Sequence, residues 1–443
     1  MNMFWVELIL VLAIIFLGVR KGGTFLAMAG GVGMLIMTFF FHVTPADPPV
    51  TVILIMIAVI VAAATMQACG GLDFLVRIAE KILRRNPRMI TVLAPVVAYI
   101  FTFMCGTGHI IYSLLPVINE ISIETGVRPE RPISASIIAS QQAITACPIS
   151  AATVGILAFM AEATNYKMVN IFTLLVVCIP ATLIGTVACA LAVMKKGKEL
   201  AEDPEFQARV ASGQVQTLVK NENAAEVKTT KEAKISVAVF LVAMVGIVLL
   251  GAVSALVPTL SDGSKLPLTT VIEIFMLVAA AVTVLITKLD SNKVLDQPVF
   301  KTGMFAVVLA FGLCWLVNTF IADQSSFITD NMSVLTNEHP WIYIIAVFIV
   351  GAITTSQSSS TMIMVPIGIA LGLPANIIVA GWIACSSNYF IPASGQCVAA
   401  IAFDTAGTTK IGKYVLNHSY MLPGLVCTVV SVVSAILIGA VVF

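Results

Sequence analysis

The sequence predicts an all-α polytopic membrane protein, in which two inverted-topology repeats supply ten transmembrane spans and two re-entrant hairpins. Three observations support this fold class. The 443-residue chain is 59% hydrophobic and 11% charged, with a mean hydropathy of +1.02, and its apolar runs are long enough to cross a bilayer. When those runs are drawn as spans, every Lys and Arg except Lys167 and Lys265 falls on one side. Two further runs break the alternation, and both have small or polar residues at their centres.

The first three spans are oriented by the charges at their ends. Cytoplasmic segments of membrane proteins are enriched in Lys and Arg. Arg20 and Lys21 follow the first run, no basic residue lies in the connection 43–49, and several follow the third run in segment 77–88. The amino terminus is therefore predicted to be periplasmic. Because no basic residue precedes the first run, we do not expect a cleaved signal peptide.

Residues 90–123 and 341–372 are predicted to form the two re-entrant hairpins. The first run begins and ends beside cytoplasmic basic segments, whereas the second begins and ends on the periplasmic side. Their centres read Gly106-Thr-Gly-His and Thr354-Thr-Ser-Gln-Ser-Ser-Ser-Thr. Within a membrane, backbone leaves the helical conformation only where protein or trapped water satisfies it, as in a hairpin tip. The alternative, two ordinary spans with polar faces, would break the charge alternation.

Residues 133–160 and 376–403 are predicted to be spans interrupted at their middle. Pro148 lies between Thr145 and Ser150 in the first, and Pro392 lies beside Ser394 in the second. Proline removes a backbone donor and clashes with the preceding helical turn. The small and polar neighbours favour a broken helix over a mild kink. The two breaks also occur at equivalent places in the two halves of the chain.

Each half therefore holds three spans, a hairpin, an interrupted span and a closing span. The first repeat covers 1–194 and starts outside, with its hairpin on the cytoplasmic side. The second covers 235–443 and starts inside, with its hairpin on the periplasmic side, so both termini are predicted to be periplasmic. Segment 195–234, rich in both acidic and basic residues, is interpreted as a solvated cytoplasmic linker. Inverted repeats of this kind are typical of secondary transporters with alternating access.

The two hairpin tips and the two helix breaks are predicted to meet at one site near the bilayer midplane. No Lys or Arg is available there, but four helix N-termini each bring unpaired N–H groups and about +0.5 elementary charge. That arrangement suits an anion without the cost of burying a cation, and a small dicarboxylate is the best physical fit. The predicted substrate-binding residues are Thr107, Gly108, His109, Thr145, Pro148, Ser150, Gln357, Ser358, Ser359, Ser360, Thr361, Pro392, Ser394, Gly395 and Gln396.

Five polar residues within the apolar runs, His109 among them, have two interpretations each. His109 can donate to a substrate or titrate during transport, or it can be a neutral histidine bonded to a backbone carbonyl. Glu7 and Glu273 are intramembrane carboxylates, but they lie near the outer ends of their spans, which favours a structural role. Gln141 and Gln142 either line the cavity or form hydrogen bonds between helices.

The sequence contains none of the constellations that mark the other function classes we considered. The four histidines are scattered, and there is no HExxH motif, so neither a catalytic residue nor a metal site is predicted. The absence of GxxxxGK[ST] excludes an ATP-driven pump encoded in this chain. No cofactor and no nucleic-acid partner are expected, although Na⁺ or H⁺ coupling through backbone carbonyls would leave no side-chain signature. An intramembrane enzyme and a passive channel are the alternatives to a transporter.

Several motifs together carry a family resemblance over nearly the whole chain. They are Gly70-Gly-Leu-Asp-Phe-Leu-Val, Arg84-Arg-Asn-Pro, Gly106-Thr-Gly-His, Leu115-Pro-Val-Ile, Ile144-Thr-Ala-Cys-Pro-Ile-Ser-Ala-Ala, Gly407-Thr-Thr-Lys-Ile-Gly-Lys and Asn417-His418. The chain resembles the anaerobic C4-dicarboxylate transporter (Dcu) family. The resemblance implies inner-membrane antiport of fumarate, succinate, malate or aspartate, in bacteria with anaerobic metabolism. It also implies an ion-transporter-like fold and, from broader relatives, an elevator mechanism and a homodimer. A Na⁺- or H⁺-coupled symporter is the alternative.

Three departures from the family pattern fall on the predicted site. His109 stands where the family has Asn, and Ile391-Pro-Ala-Ser-Gly-Gln replaces Leu-Pro-Thr-Tyr-Pro. The second tip ends in Met362, where the family has a lysine. The resemblance therefore transfers the substrate class and not the exact substrate. If the lysine binds a carboxylate in the family, this chain either prefers another anion or compensates with His109 and added hydroxyls.

Overall fold

The computed structural model describes residues 3–21, 24–212, 230–324, 326–327, 338–392, 394–412 and 417–443. In this part of the chain the regular structure is helical, and β-pairing is confined to two isolated bridges, Thr259–Lys265 and Ile411–His418. The prediction of an all-α protein is therefore confirmed. Met1 and part of the 195–234 linker lie outside the described residues.

The first half of the chain contains ten α-helices within the described residues. They are α1 (Met3–Lys21), α2 (Phe25–Leu35, continued by a π-helical turn at Ile36–Phe40), α3 (Val50–Ala68), α4 (Gly71–Arg85), α5 (Ile90–Cys105), α6 (Ile111–Glu124), α7 (Glu130–Ala146), α8 (Ala151–Glu162), α9 (Ile171–Val193) and the short α10 (Pro204–Ala211). Hairpin 1 consists of α5 and α6. Interrupted helix 1 consists of α7 and α8.

The second half repeats this order. Its helices are α11 (Lys231–Ala252), α12 (Leu268–Thr287), the short α13 (Asn292–Leu295), α14 (Pro298–Leu309), α15 (Trp315–Asp323, joined to α14 by a π-helical turn at Ala310–Cys314), α16 (Trp341–Thr354), α17 (Gln357–Ala370), α18 (Ala375–Ile383), α19 (Gly395–Phe403) and α20 (Met421–Val442). Hairpin 2 consists of α16 and α17. Interrupted helix 2 consists of α18 and α19.

Most of these helices have the length and composition of membrane-spanning segments. Within the described ranges, eight helical stretches are long and apolar enough to cross a bilayer, and four shorter apolar helices accompany them at 3–18, 25–40, 341–354 and 375–386. Many large apolar side chains on their outer faces are exposed, for example Leu285 at 76% and Val441 at 88%. Exposed apolar surface of this extent fits lipid contact. The polytopic membrane protein predicted from the sequence is thus confirmed.

The helices pack as two groups. The hairpins, the interrupted helices, α9 and α20 form what we call the hairpin bundle, in which α9 packs along α20 and α5 packs along α7. The span bundle consists of α1–α3, α11, α12, α14 and α15. Small residues allow close approach within the span bundle, because a Cβ on Gly30 would clash with the backbone of Gly312. The functional cavity lies where the two bundles meet.

The first part of the linker differs from the solvated segment that we expected. Residues 195–212 dock on the hairpin bundle, and Asp203 and Leu200 are buried. Arg128, at the start of interrupted helix 1, forms ion pairs with Asp203 and with Glu130, the latter at 2.8 Å. Arg131 binds Glu199 at 2.7 Å. These contacts require the folded positions of distant residues, so the composition of the linker did not reveal them.

Candidate functional site

The tip of hairpin 1 is a tight turn that residues 106–110 form between two helices. Gly106 ends α5 in the left-handed region, with φ +70°, which glycine adopts without steric cost. Thr107 is extended, and its hydroxyl oxygen accepts a hydrogen bond from the His109 N–H at 3.4 Å. Gly108–Ile110 then form one 3₁₀ turn that leads into α6. The turn predicted at Gly106-Thr-Gly-His is therefore present.

The tip of hairpin 2 uses a different and more strained turn. Thr355 occupies the left-handed region with φ +52°, although it is β-branched. Such a residue is uncommon there and costs roughly 1–2 kcal/mol. Ser356 is extended and accepts the Ser359 N–H at 3.2 Å, so α17 starts at Gln357. Strained backbone tends to persist where a functional geometry requires it.

Both helix interruptions end in a capped helix N-terminus. The Ser150 hydroxyl accepts the Thr153 N–H at 3.1 Å and starts α8. The Ser394 hydroxyl accepts the Cys397 N–H at 3.4 Å and starts α19. Together with Thr107 and Ser356, a hydroxyl N-cap is present at each tip and at each break. At the tip of hairpin 1 the capped element is the 3₁₀ turn Gly108–Ile110, which leads into α6.

A cavity of about 320 Å³ lies between these four elements and the span bundle. Its polar wall is built from both tips and both breaks. Its apolar wall comes from α3 and α14, through residues such as Val59, Ile60, Gly303 and Ala306. Among the described residues that line it there is no Lys, Arg, Asp or Glu. Backbone N–H groups, hydroxyls, amides and His109 are the polar groups offered to a ligand.

Nine of the fifteen predicted site residues line this cavity. They are Thr107, Gly108, His109, Ser150, Gln357, Ser358, Ser394, Gly395 and Gln396. Five polar residues that also line the cavity are outside the list of fifteen, namely Tyr112, Thr302, Thr355, Ser356 and Asn388. Tyr112 lies one helical turn after His109, and their rings stack with centroids 5.9 Å apart. That spacing was the one signal by which the sequence could have indicated Tyr112.

The other six predicted residues do not line the cavity, which corrects the expected extent of the site. They are Thr145, Pro148, Ser359, Ser360, Thr361 and Pro392. In α17 the reason is helical rotation, since Ser359 is fully buried. The Thr361 hydroxyl donates to the Gln357 carbonyl at 2.7 Å and accepts from the Trp382 indole at 2.7 Å. The Thr145 hydroxyl donates to the Gln142 carbonyl at 2.8 Å.

Each tip is tied to the interrupted helix of the other half by one glutamine. The Gln396 amide donates to the carbonyl oxygen of Gly108 at 2.9 Å. The Gln357 amide donates to the carbonyl oxygen of Gln141, also at 2.9 Å. Gly108 leaves space for the hydrogen bond from Gln396, because a Cβ at residue 108 would overlap the Gln396 side-chain nitrogen. These bonds hold the four elements around one space.

Met362 does not face the cavity. Its side chain is buried at the contact between α17 and α8, where a Cβ on Gly155 would lie 2.7 Å from its terminal methyl group. The position that carries a lysine in the family pattern is therefore a packing position in this chain.

The remaining intramembrane polar residues lie away from the cavity. Glu7 is buried and accepts a hydrogen bond from the Gln324 amide at 2.9 Å, which supports its structural interpretation. Glu273 is partly exposed on α12. Gln141 and Gln142 are fully buried, and among the described residues their side-chain amides have no hydrogen-bond partner. Neither glutamine lines the cavity.

Comparison with known proteins gives matches along the whole chain. A family model described as "Anaerobic c4-dicarboxylate membrane transporter" matches residues 3–443. The transporter DcuB of Escherichia coli O6:H1 is 38% identical over 434 residues, which cover 97% of each chain. DcuA of Wolinella succinogenes is 37% identical over 426 residues, or 96% of each chain. The solved structure of Neisseria gonorrhoeae MtrF is 14% identical, with a TM-score of 0.54 over 92% of this chain and 84% of MtrF, and shares the fold.

Proposed function

The chain belongs to the family of anaerobic C4-dicarboxylate membrane transporters, and on that premise we propose that it exchanges C4-dicarboxylates across a bacterial inner membrane. Membership makes it a membrane transporter and not an enzyme. The substrate class is that of fumarate, succinate, malate and aspartate. Antiport is the mode that we propose, with alternating access to the cavity between the two bundles.

The observation that carries this proposal is the cavity wall, in which helix N-termini take the place of cationic side chains. The first four N–H groups of a helix lack partners within it, and a capping hydroxyl satisfies only one of them. The N–H groups of Gln357, Ser358, Gly395 and Gln396 are therefore donors at the wall. Four termini of about +0.5 charge each sum to roughly +2, which matches a dianion.

We assign one carboxylate of the substrate to the N-terminus of α17 and the other to the N-terminus of α19. Both termini belong to the second half of the chain, where a short dicarboxylate would bridge hairpin 2 and interrupted helix 2. Ser356 and Ser358 add hydroxyl donors beside the first terminus. His109 and Tyr112 add donors at the opposite tip. These residues are where the substrate preference of this chain would differ from that of its relatives.

We further propose that the two halves are inverted repeats with ten full crossings, that both hairpins are re-entrant, and that both termini are periplasmic. The recurrence of the same element order in 1–194 and 235–443 supports this topology. The hydrogen bonds of Gln357 and Gln396 each join the hairpin tip of one half to the interrupted helix of the other half. This pattern supports a symmetry that exchanges the two halves.

An elevator movement of the hairpin bundle against the span bundle is the mechanism we propose. The wall that α3 and α14 present to the cavity is mostly apolar, so sliding along it breaks few hydrogen bonds. The hairpin bundle meets the span bundle through α8 and α17, which pack against α3 and α15. The lining residues Val299, Thr302 and Gly303 of α14 lie beside the basic segment 288–301, which supports access from the cytoplasm. A homodimer is proposed on the family resemblance.

A cation-coupled symporter is the second candidate, because several buried amide oxygens have no donor. In the described part of the chain, these include the side-chain oxygens of Gln141, Gln142, Asn388 and Gln396. A buried oxygen without a partner costs about 1–3 kcal/mol, which a bound Na⁺ or water would offset. Under this alternative, transport would depend on a Na⁺ or H⁺ gradient.

Counterflow in proteoliposomes tests the proposed function. Vesicles loaded with unlabelled succinate should accumulate labelled fumarate without any ion gradient, and the rate should saturate with external fumarate. Accumulation that requires a Na⁺ or proton gradient would favour the symporter. Unsaturable uptake would favour a channel, and the absence of dicarboxylate uptake under all conditions would contradict the proposed substrate class.

A further inference from the structure

Helix α4, between the span bundle and hairpin 1, carries two apolar stripes, and only one of them is buried. Leu75, Ala79 and Leu83 follow each other at intervals of four residues and are buried against the protein. Ile78 and Ile82 lie on the neighbouring face and are 37% and 40% exposed. Phe74 continues that second stripe toward the start of the helix. A helix that had to face only water would not repeat isoleucine on its exposed side.

The exposed stripe is accompanied by basic side chains. Lys81 and Arg85 lie beside Ile78 and Ile82 on the helix surface, and Arg88 follows three residues later, before Met89, which is 60% exposed. All three basic side chains are exposed. No ion pair joins them to another residue within the described ranges. The face is therefore both apolar and cationic.

Three glutamates near α4 gather around Arg84, on the side of the helix that faces hairpin 1. Arg84 binds Glu80 at 2.9 Å on the same helix. It also binds Glu120 at 2.8 Å and Glu124 at 3.4 Å, both on α6 of hairpin 1. These three glutamates bind Arg84 and form no ion pair with Lys81, Arg85 or Arg88.

The depth of α4 follows from its contact with α11. A Cβ on Gly71 would lie 2.9 Å from the Ser236 hydroxyl, in the second turn of α11. The Lys234 ammonium group lies 6.0 Å from the centre of the Phe74 ring. Because α11 is an apolar span that begins at Lys231, α4 lies at the level where that span enters the bilayer. An exposed stripe at this level meets the boundary between acyl chains and headgroups.

We propose that α4 lies in the cytoplasmic interface of the bilayer, where Lys81, Arg85 and Arg88 bind the headgroups of anionic phospholipids. Phe74, Ile78 and Ile82 then contact the parts of the acyl chains nearest the headgroups. A soluble phosphate has no acyl chain and would leave this apolar stripe exposed to water. Amphipathic helices with this composition bind at interfaces through buried apolar area together with attraction to anionic lipid. The inference uses the proposed cytoplasmic orientation and is independent of the substrate.

Fluorescence quenching by brominated lipids tests this proposal with the full-length protein. Ile82→Trp is reconstituted in mixed phosphatidylcholine and phosphatidylglycerol vesicles, with bromine on one lipid species or on the other. The signal of the unsubstituted protein is subtracted to remove the native tryptophans. We expect brominated phosphatidylglycerol to quench about fivefold more effectively, which is on the order of the effect of one basic residue at a membrane surface. Raised salt should lower this preference.

Two matched controls make the result specific. Leu437→Trp, on an exposed apolar face of α20 away from basic residues, should show no preference between the lipids. The second control adds two charge reversals to the Ile82→Trp protein. Lys81→Glu together with Arg85→Glu should abolish the preference for phosphatidylglycerol. Lys195→Glu together with Lys198→Glu, which reverse the same number of charges on the linker, should leave that preference unchanged. Absence of quenching by either lipid would mean that another protein or water covers the stripe, and would overturn the proposal. Equal quenching by both lipids would contradict the anionic preference.

Discussion

The side-chain amide of Gln396 donates a hydrogen bond to the carbonyl oxygen of Gly108, and the two atoms are 2.9 Å apart. Gln396 belongs to the second half of the chain and Gly108 to the first, so this bond closes the cavity wall across the two halves. The space for it exists because residue 108 has no Cβ. The first prediction follows from this contact.

Gly108→Ala should weaken substrate binding by roughly tenfold or more, because the new methyl group displaces Gln396 and leaves a polar group unpaired. Isothermal titration with succinate measures the change in Kd. Gly31→Ala is the matched control, since a Cβ at Gly31 has nothing within 4 Å. A Gly108→Ala protein that binds succinate as tightly as the wild type would show that the tie between the halves is dispensable.

Ser394→Ala should weaken binding while the protein stays folded. The substitution removes the cap of α19, worth about 1 kcal/mol, and a hydroxyl at the cavity wall. We expect a roughly tenfold rise in the Kd for succinate, the effect of one lost hydrogen bond to a charged group. Ser122→Ala removes a buried hydroxyl whose hydrogen bond goes to the Ile118 carbonyl, away from the cavity, and should not change the Kd. Equal affinity in both variants would place Ser394 outside the site.

Ser358 and Ser359 should behave differently, although they are adjacent. Ser358 lines the cavity, whereas Ser359 is fully buried behind it. Ser358→Asp sets a carboxylate against the substrate in a partly desolvated space and should abolish detectable binding. Ser359→Ala should leave the Kd for succinate within about twofold of the wild-type value, because the substitution removes no hydrogen bond to the charged substrate. Succinate binding that survives Ser358→Asp, measured on monodisperse protein, would rule out an anion site at this tip.

The docked linker should respond to acid through Asp203. Burial acts to raise the pKa of Asp203, but hydrogen bonds from Arg128 and from the Glu205 and Phe206 N–H groups outweigh it, so the pKa is lowered. A lowered carboxyl pKa stabilises the folded state above the unfolded value of about 4, and the contribution is lost as the pH falls through the folded value.

Asp203→Asn should therefore lower the thermal midpoint at neutral pH, and the difference from the wild type should shrink below about pH 4. Scanning fluorimetry in detergent over this range measures both proteins. Glu202→Gln, an exposed neighbour, is the control and should show no such difference. A difference that stays constant from neutral to acid pH would indicate that the Asp203 carboxylate does not stabilise the fold.

The proposed topology predicts opposite labelling of two exposed positions. In a background without native cysteines, Ser264→Cys should react with an impermeant maleimide added to intact cells, whereas Lys198→Cys should react only after lysis. Both side chains are exposed, so accessibility within the protein does not limit either reaction. Labelling of Lys198→Cys from outside would reverse the orientation that we infer from the basic residues.

The sequence allowed the elements of the site to be predicted, because few structures are compatible with polar residues inside an apolar run. Thr107, Ser150, Ser356 and Ser394 all prove to be N-caps at predicted turns. The family resemblance is likewise confirmed by relatives that cover nearly the whole chain.

The faces of the helices were harder to predict than their ends. Each residue turns an α-helix by about 100°, so the exact start of α17 decides which serines reach the cavity. That start depends on the left-handed turn at Thr355, which is not favoured by its own side chain. Asn388 was missed because it lies six residues before Ser394, in an irregular stretch whose path depends on neighbouring helices.

The central claim is that helix N-termini, without a cationic side chain, hold a substrate with two carboxylates. Isothermal titration of the purified wild-type protein with succinate and with butyrate, which have the same chain length, tests it most directly. Because a hydrogen bond to a charged group contributes about 1.5–3 kcal/mol, succinate should bind at least tenfold more tightly than butyrate. Equal affinities for the two ligands would contradict a site built for a dianion.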